Sequence, residues 1–283
     1  MSDRQRNRVQ VGDVEIAYVD EGAGPAVVLL HGFPDSADLW RHQVPALTGM
    51  GYRVIAPDLR GFGESSIPAD PSTACNLLFA AGDVTGLMDH LGIGEAAVVG
   101  HDFGAALAWA LASVAPDRVE RLVALSVGHP MSFAAAGMAQ REKSWYTLLF
   151  QFEGVAEEWL SADGWAKLRA WVTTDGERPD PPDFDRWVDD LSRPGALTAA
   201  LGWYRSNLPP AAQVGPRLEL PLVQCPTMGI WSDDDFALTE AQMSGSAAHV
   251  AGPWRYEVVR GAGHWIPVEA PDDVSRLLVD FCR

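Results

Sequence analysis

The chain has 283 residues, 47% of them apolar, and a net charge of −17 from 21 basic and 38 acidic side chains. That length fits one large α/β domain, or a domain with an insertion, and the apolar share excludes a disordered chain. So acidic a surface argues against nucleic acid or an anionic membrane as partner, and the scattered Cys75, Cys225 and Cys282 form neither a metal cluster nor a disulfide framework.

The N-terminus is polar and then alternating, with no secretory apolar core, and no run of 18 apolar residues occurs. A reduced cytoplasm is therefore the expected compartment. Alternation over 9–19 predicts two half-buried strands turning at Gly12-Asp13. The run at 25–33 (PAVVLLHGF) is near-continuously apolar, as a central parallel strand requires. Further strands are predicted at 53–63, 96–100, 121–128, 226–235 and 253–264. Helical patterns fall between them, around 37–50, 74–91, 103–115, 238–248 and 271–282. Alternation of strand and helix predicts an α/β fold with a doubly wound, mostly parallel sheet, whose ligands bind at the carboxyl ends of the strands.

Residues 129–220 break this rhythm. They hold no clear strand, six tryptophans (Trp145, Trp159, Trp165, Trp171, Trp187 and Trp203) and an acidic, proline-rich loop at 175–186. The expectation is a helical cap lining a cavity over the carboxyl edge, with the core formed by 1–128 and 221–283.

The chemistry-bearing residues follow strands. In Gly100-His101-Asp102-Phe103-Gly104 an apolar run meets a helical pattern, and small residues flank Asp102. This is the spacing of a tight strand-to-helix turn that displays its central side chain. The turn alone leaves two roles open for Asp102, helix cap or nucleophile. Context separates them. His31-Gly32-Phe33-Pro34 follows the 25–33 strand, so the Phe33 N–H, with that of Phe103, forms a candidate oxyanion hole. Gly263-His264 follows the last strand pattern, which makes His264 the candidate general base. His31 and His101 lack this combination and are expected to support the site from beneath. The acid that orients His264 should come from Asp233, Asp234 or Asp235, after the 226–235 strand.

Taken together, HGFPDSADLWRHQVPAL (31–47), APDLRGFGESS (56–66), GHDFGAALAW (100–109), GIWSDDDFAL (229–238) and GAGHWIPVEAP (261–271) resemble the α/β-hydrolase superfamily and, within it, the epoxide hydrolase family. The match spans nearly the whole chain. The resemblance implies the α/β-hydrolase fold with a cap, and makes Asp235 the acid. It also implies that Tyr146, in KSWYTLLFQFEGVAEEWL (143–160), and Tyr204, in LGWYRSNL (201–208), bind and protonate an epoxide oxygen; Pro34 is expected either to touch the substrate or to back the residues that do. Tyr18, Tyr52 and Tyr256 lie in or near core strands and are expected to be structural.

The chemistry is coherent. A carboxylate needs no base to attack a saturated carbon, and a phenol is a competent donor to an alkoxide. The expected substrates are a small apolar epoxide and water, the product a vicinal diol. No metal or organic cofactor is called for, and the chain is expected to be a monomer or homodimer. The rival on the same fold is a haloalkane or haloacid dehalogenase. Its halide needs side-chain N–H donors where this chain has Phe33 and Phe103. A ligand-binding receptor on a hydrolase fold is the non-enzymatic alternative.

Overall fold

The computed structural model describes residues 5–178, 181–213 and 219–283. Eight strands form one sheet: β1 (Asn7–Val11), β2 (Val14–Gly22), β3 (Ala26–Leu30), β4 (Arg53–Pro57), β5 (Ala96–His101), β6 (Val119–Leu125), β7 (Thr227–Ser232) and β8 (Trp254–Val259). Their spatial order is β1-β2-β4-β3-β5-β6-β7-β8. Only the β1/β2 and β2/β4 pairs are antiparallel; the other five are parallel. The β1–β2 hairpin turns at Gly12, whose φ of +56° suits a residue without Cβ. Strand β5 is buried along its whole length, as expected where helices cover both faces.

From β3 the chain steps one way in the sheet to β4, then crosses back to β5. Right-handed crossovers in opposite directions place their helices on opposite faces. Gln43–Thr48 accordingly pairs with Pro271–Cys282, and Leu77–His90 with Phe103–Val114. The reversal also sends the loops after β3 and β5 apart, opening a crevice at their carboxyl ends. In Phe103–Val114, ten of twelve residues are buried, so it is a core helix rather than an amphipathic cover.

Some expected elements are shorter. The 37–50 pattern divides into a 3-10 turn (Ala37–Trp40) and a helix (Gln43–Thr48). The 238–248 pattern likewise becomes Glu240–Ser244 and a 3-10 turn, Gly245–His249. The helix expected at 74–91 starts at Leu77, where the Asn76 side chain accepts the Leu78 N–H at 2.8 Å and caps it. The last strand stops at Val259, and Gly261, with φ of +70°, turns the chain so that His264 lies in a loop.

Between β6 and β7 the described residues form helices and no strand of the sheet. This is the cap. Its longest helix, Val155–Val172, is broken at Ala162–Trp165 by non-helical backbone. The cap meets the core through polar contacts. Asp35, after β3, accepts hydrogen bonds from Arg186 at 2.7 Å and from the Trp187 indole at 2.9 Å. The Trp203 indole donates to the Arg60 carbonyl at 3.1 Å.

Candidate active site

Asp102 follows β5 directly and precedes the helix Phe103–Val114 with φ of +54° and ψ of −122°. A non-glycine residue held there is strained, and persists only where its surroundings enforce it. Here two glycines do so. A Cβ on Gly100 would collide with the Gly104 carbonyl, and one on Gly104 with the carbonyls of Leu30 and His31. The backbone therefore closes more tightly than any side chain would permit, and Asp102 is presented at the crevice.

Gly32 allows a second close approach, because a Cβ there would strike the Asp102 side chain. The Phe33 N–H consequently donates to Asp102 Oδ1 at 2.8 Å, and the Phe103 amide also favours the charged carboxylate. The other oxygen, Oδ2, faces His264 Nε2 at 3.6 Å. Burial would raise the Asp102 pKa, but His264, His101 and the Phe103 amide outweigh it and hold the carboxylate below its ordinary range. The Asp102 side chain keeps 14% exposure, against 5% for His264 and none for Asp235. Open space in this set thus lies at Asp102.

His264 Nδ1 lies 3.0 Å from Asp235 Oδ2. Asp235 Oδ1 accepts the N–H groups of Ala237 at 2.8 Å and Leu238 at 2.9 Å, so both its oxygens are engaged. Asp233 and Asp234 point elsewhere, to the Gly261 N–H and to Arg178. Burial disfavours protonation of His264, but the charges of Asp235 and Asp102 prevail and raise its pKa to about 10. The histidine loop is pinned: the His264 carbonyl accepts from Ser126 Oγ at 3.0 Å and lies 2.9 Å from His101 Nε2. Ser232 Oγ holds the Gly263 carbonyl at 2.6 Å.

The three remaining expected residues, His101, His31 and Pro34, lie beside residues of this set. His101 is buried, and burial pushes its pKa down to about 4. His31 is buried too, and its pKa is lowered by burial. Its Nε2 accepts the Leu59 N–H at 2.9 Å, which leaves Nδ1 as donor to the Gly32 carbonyl at 3.0 Å. Pro34 is buried and follows Phe33 through a cis peptide bond.

The cap supplies the two tyrosines, Tyr146 from Trp145–Leu149 and Tyr204 from Ala196–Asn207. Their rings stand 5.9 Å apart and nearly perpendicular. Tyr204 packs edge-on against Phe33 at 5.5 Å and Phe103 at 4.8 Å, the residues whose amides hold Asp102. Among the described residues neither hydroxyl has a hydrogen-bond partner, although both side chains are buried. Burial and the Asp102 charge raise both phenol pKa values above the ordinary 10. The two hydroxyls therefore stay protonated.

Several residues at the site carry no local sequence signal. Phe150 and Trp171 complete the aromatic wall around Tyr146 and Tyr204. Phe236 lies 5.9 Å from the His264 ring and also lines an open depression of about 390 Å³ with Lys143, Arg178 and Asp234. A strand-end histidine or an elbow is visible in sequence, but such side chains are gathered only by folding. Among the described residues no group of three or more His, Cys, Asp or Glu side chains is placed to hold a metal ion.

A strained elbow, two converging amides and an Asp–His pair at the carboxyl edge of a mostly parallel sheet define a hydrolase-type site. The alpha/beta hydrolase fold family model matches residues 25–271. Epoxide hydrolase A of Mycobacterium tuberculosis is 32% identical, the match covering 96% of this chain and 95% of the relative. Epoxide hydrolase 2 of Siraitia grosvenorii is also 32% identical, over 99% of this chain and 98% of its own length. A solved structure described among novel epoxide hydrolases in metagenomes from hot environments superimposes with a TM-score of 0.86 at 30% identity, covering 99% and 98% of the two chains. The chain belongs to the epoxide hydrolase family of the α/β-hydrolase superfamily. No described helix is long and apolar enough to cross a membrane.

Proposed function

We propose that the protein adds water to a small apolar epoxide, giving a vicinal diol through a covalent ester on Asp102. The observation that carries this reading is the division of labour at that carboxylate. Oδ1 rests on the Phe33 amide while Oδ2 is turned toward His264, with two buried tyrosines whose hydroxyls have no partner among the described residues. In this reading Oδ2 attacks an epoxide carbon as Tyr146 and Tyr204 donate hydrogen bonds to the ring oxygen and one of them protonates it. The new ester keeps its carbonyl oxygen on the two amides. His264, oriented by Asp235, then takes a proton from water, which attacks the ester carbon, and the amides stabilise the tetrahedral oxyanion. Collapse expels the diol oxygen, which takes the proton from His264, and the Asp102 acid left behind returns its own proton to the histidine, restoring the carboxylate.

Alkylation itself prepares the second step. It removes the Asp102 charge, one of the two that hold His264 protonated, so the histidine can give up its proton, which restores the tyrosine, and stand neutral when a base is needed. The cap of this reading spans 129–220, with 1–128 and 221–283 as the core. Helix Pro130–Ala135 packs on the core helix Glu240–Ser244.

The test is a panel of styrene oxide and bromobutane with diol and halide measured together, plus intact mass of the His264→Gln variant after exposure to styrene oxide. Diol formation by the wild type and a trapped adduct on Asp102 in the variant are expected. Halide release without diol would make the protein a dehalogenase instead.

A further inference from the structure

We propose that Gln140 and Lys143, on the cap helix Gly137–Lys143, are positioning residues for Asp235 that act in the ester-hydrolysis half of the reaction. This rests on the two-step reading above.

Asp235–Thr239 is a loop without sheet or helix pairing after β7. One cap helix grips it at every second residue. Lys143 Nζ donates to the Asp235 carbonyl at 2.6 Å, and Gln140 Nε2 to the Ala237 carbonyl at 2.9 Å. Gln140 Oε1 accepts from the Thr239 N–H at 2.8 Å and from its hydroxyl at 2.9 Å. The second Gln140 amide hydrogen reaches Ser144 Oγ at 2.9 Å. Flipping the amide would set its NH2 against the Thr239 N–H, so the orientation is unique. Gln140 is 2% exposed. A buried amide contributes little net stability over an apolar side chain of the same shape, yet it fixes geometry when every polar atom is satisfied.

The clamp and the carboxylate are interlocked. Asp235 Oδ1 folds back onto the amides of Ala237 and Leu238, inside the span that Gln140 holds. A shift of the loop therefore moves Oδ2 away from His264 Nδ1. Ring opening uses Asp102 and the tyrosines and does not need that contact. Water activation does, because the Asp235 bond aims His264 Nε2.

The test is single-turnover kinetics of the full chain with styrene oxide, resolving adduct formation from adduct decay. Gln140→Ala should alkylate at close to the wild-type rate and hydrolyse its ester about 10- to 100-fold more slowly, the scale of a small misplacement. Adduct should accumulate, and the acid limb of the hydrolysis phase should move to lower pH as His264 loses its carboxylate. Lys143→Met should show the same split at smaller size, and Gln140→Glu, which keeps the acceptor for Thr239, should recover part of the rate. Equal slowing of both phases, or an unchanged hydrolysis phase, would overturn the proposal. Should circular dichroism show Gln140→Ala unfolded, Thr239→Val, which removes one donor, carries the same comparison. An adduct trapped by His264→Gln but never by the clamp variants defeats the clamp alone; no adduct in either defeats the two-step reading beneath it.

Discussion

The Phe33 N–H holds Asp102 Oδ1 at 2.8 Å, and this single bond makes the two carboxylate oxygens chemically distinct. In the proposed reaction Oδ2 leaves with the diol, and the water oxygen replaces it on Asp102. One turnover in heavy-oxygen water, with enzyme in excess, should therefore label the peptide containing Asp102 and leave the diol unlabelled. Peptide mass spectrometry reads both. Label in the diol alone would mean that water attacks the epoxide directly.

The tyrosines should matter only for ring opening. Tyr146→Phe and Tyr204→Phe should each slow alkylation, and the double variant should lose about 10²- to 10⁴-fold, the usual range for general-acid catalysis. Ester hydrolysis measured after mixing should stay near wild type. Loss in the hydrolysis phase would assign these rings to packing around Phe33 and Phe103 instead.

The two half-reactions should titrate differently. Asp102 is held below the ordinary carboxylate range, so alkylation should persist into acid, and the raised tyrosine pKa values should keep it from failing in mild alkali. Hydrolysis requires neutral His264 and should rise with pH. In the resting protein that histidine loses its proton near pH 10; in the ester, with the Asp102 charge gone, it should do so at lower pH. Histidine NMR titration of the free protein and the pH profile of adduct decay supply the two values. Coincident values would show that Asp102 does not control His264.

Cap anchoring should be costly to break. Arg186 bonds Asp35, whose side chain has no exposure. Removing one partner of a buried pair strands the other charge. Arg186→Met should destabilise the protein by about 3 kcal/mol in urea unfolding, and adding Asp35→Asn should return much of it. Additive losses in the double variant would show that the two side chains do not act as a pair.

The sequence is most legible where backbone geometry dictates residue type. Gly100, Gly104 and Gly32 are required by close approaches, and they announced the elbow and the loop facing it. Strands β3 and β5 were evident because burial on both faces demands unbroken apolar runs. Which aspartate serves His264 was not readable from DDD alone; it is decided by the Ala237 and Leu238 amides, which only the folded loop brings to Asp235. Gln140, Lys143 and Arg186 were silent for the same reason. Their partners lie about 90 to 150 residues away in the chain, and a polar contact between cap and core imposes no period on either segment.

In the resting protein Asp102 already occupies the Phe33 amide. An ordinary ester or amide would have to place its own carbonyl oxygen where Asp102 Oδ1 already sits, and evict a charged tenant to do so. In the proposed reaction an epoxide makes no such demand, since its oxygen would be met by Tyr146 and Tyr204. In the proposed reaction ordinary esters should therefore be left intact, by virtue of a seat that is taken before they arrive.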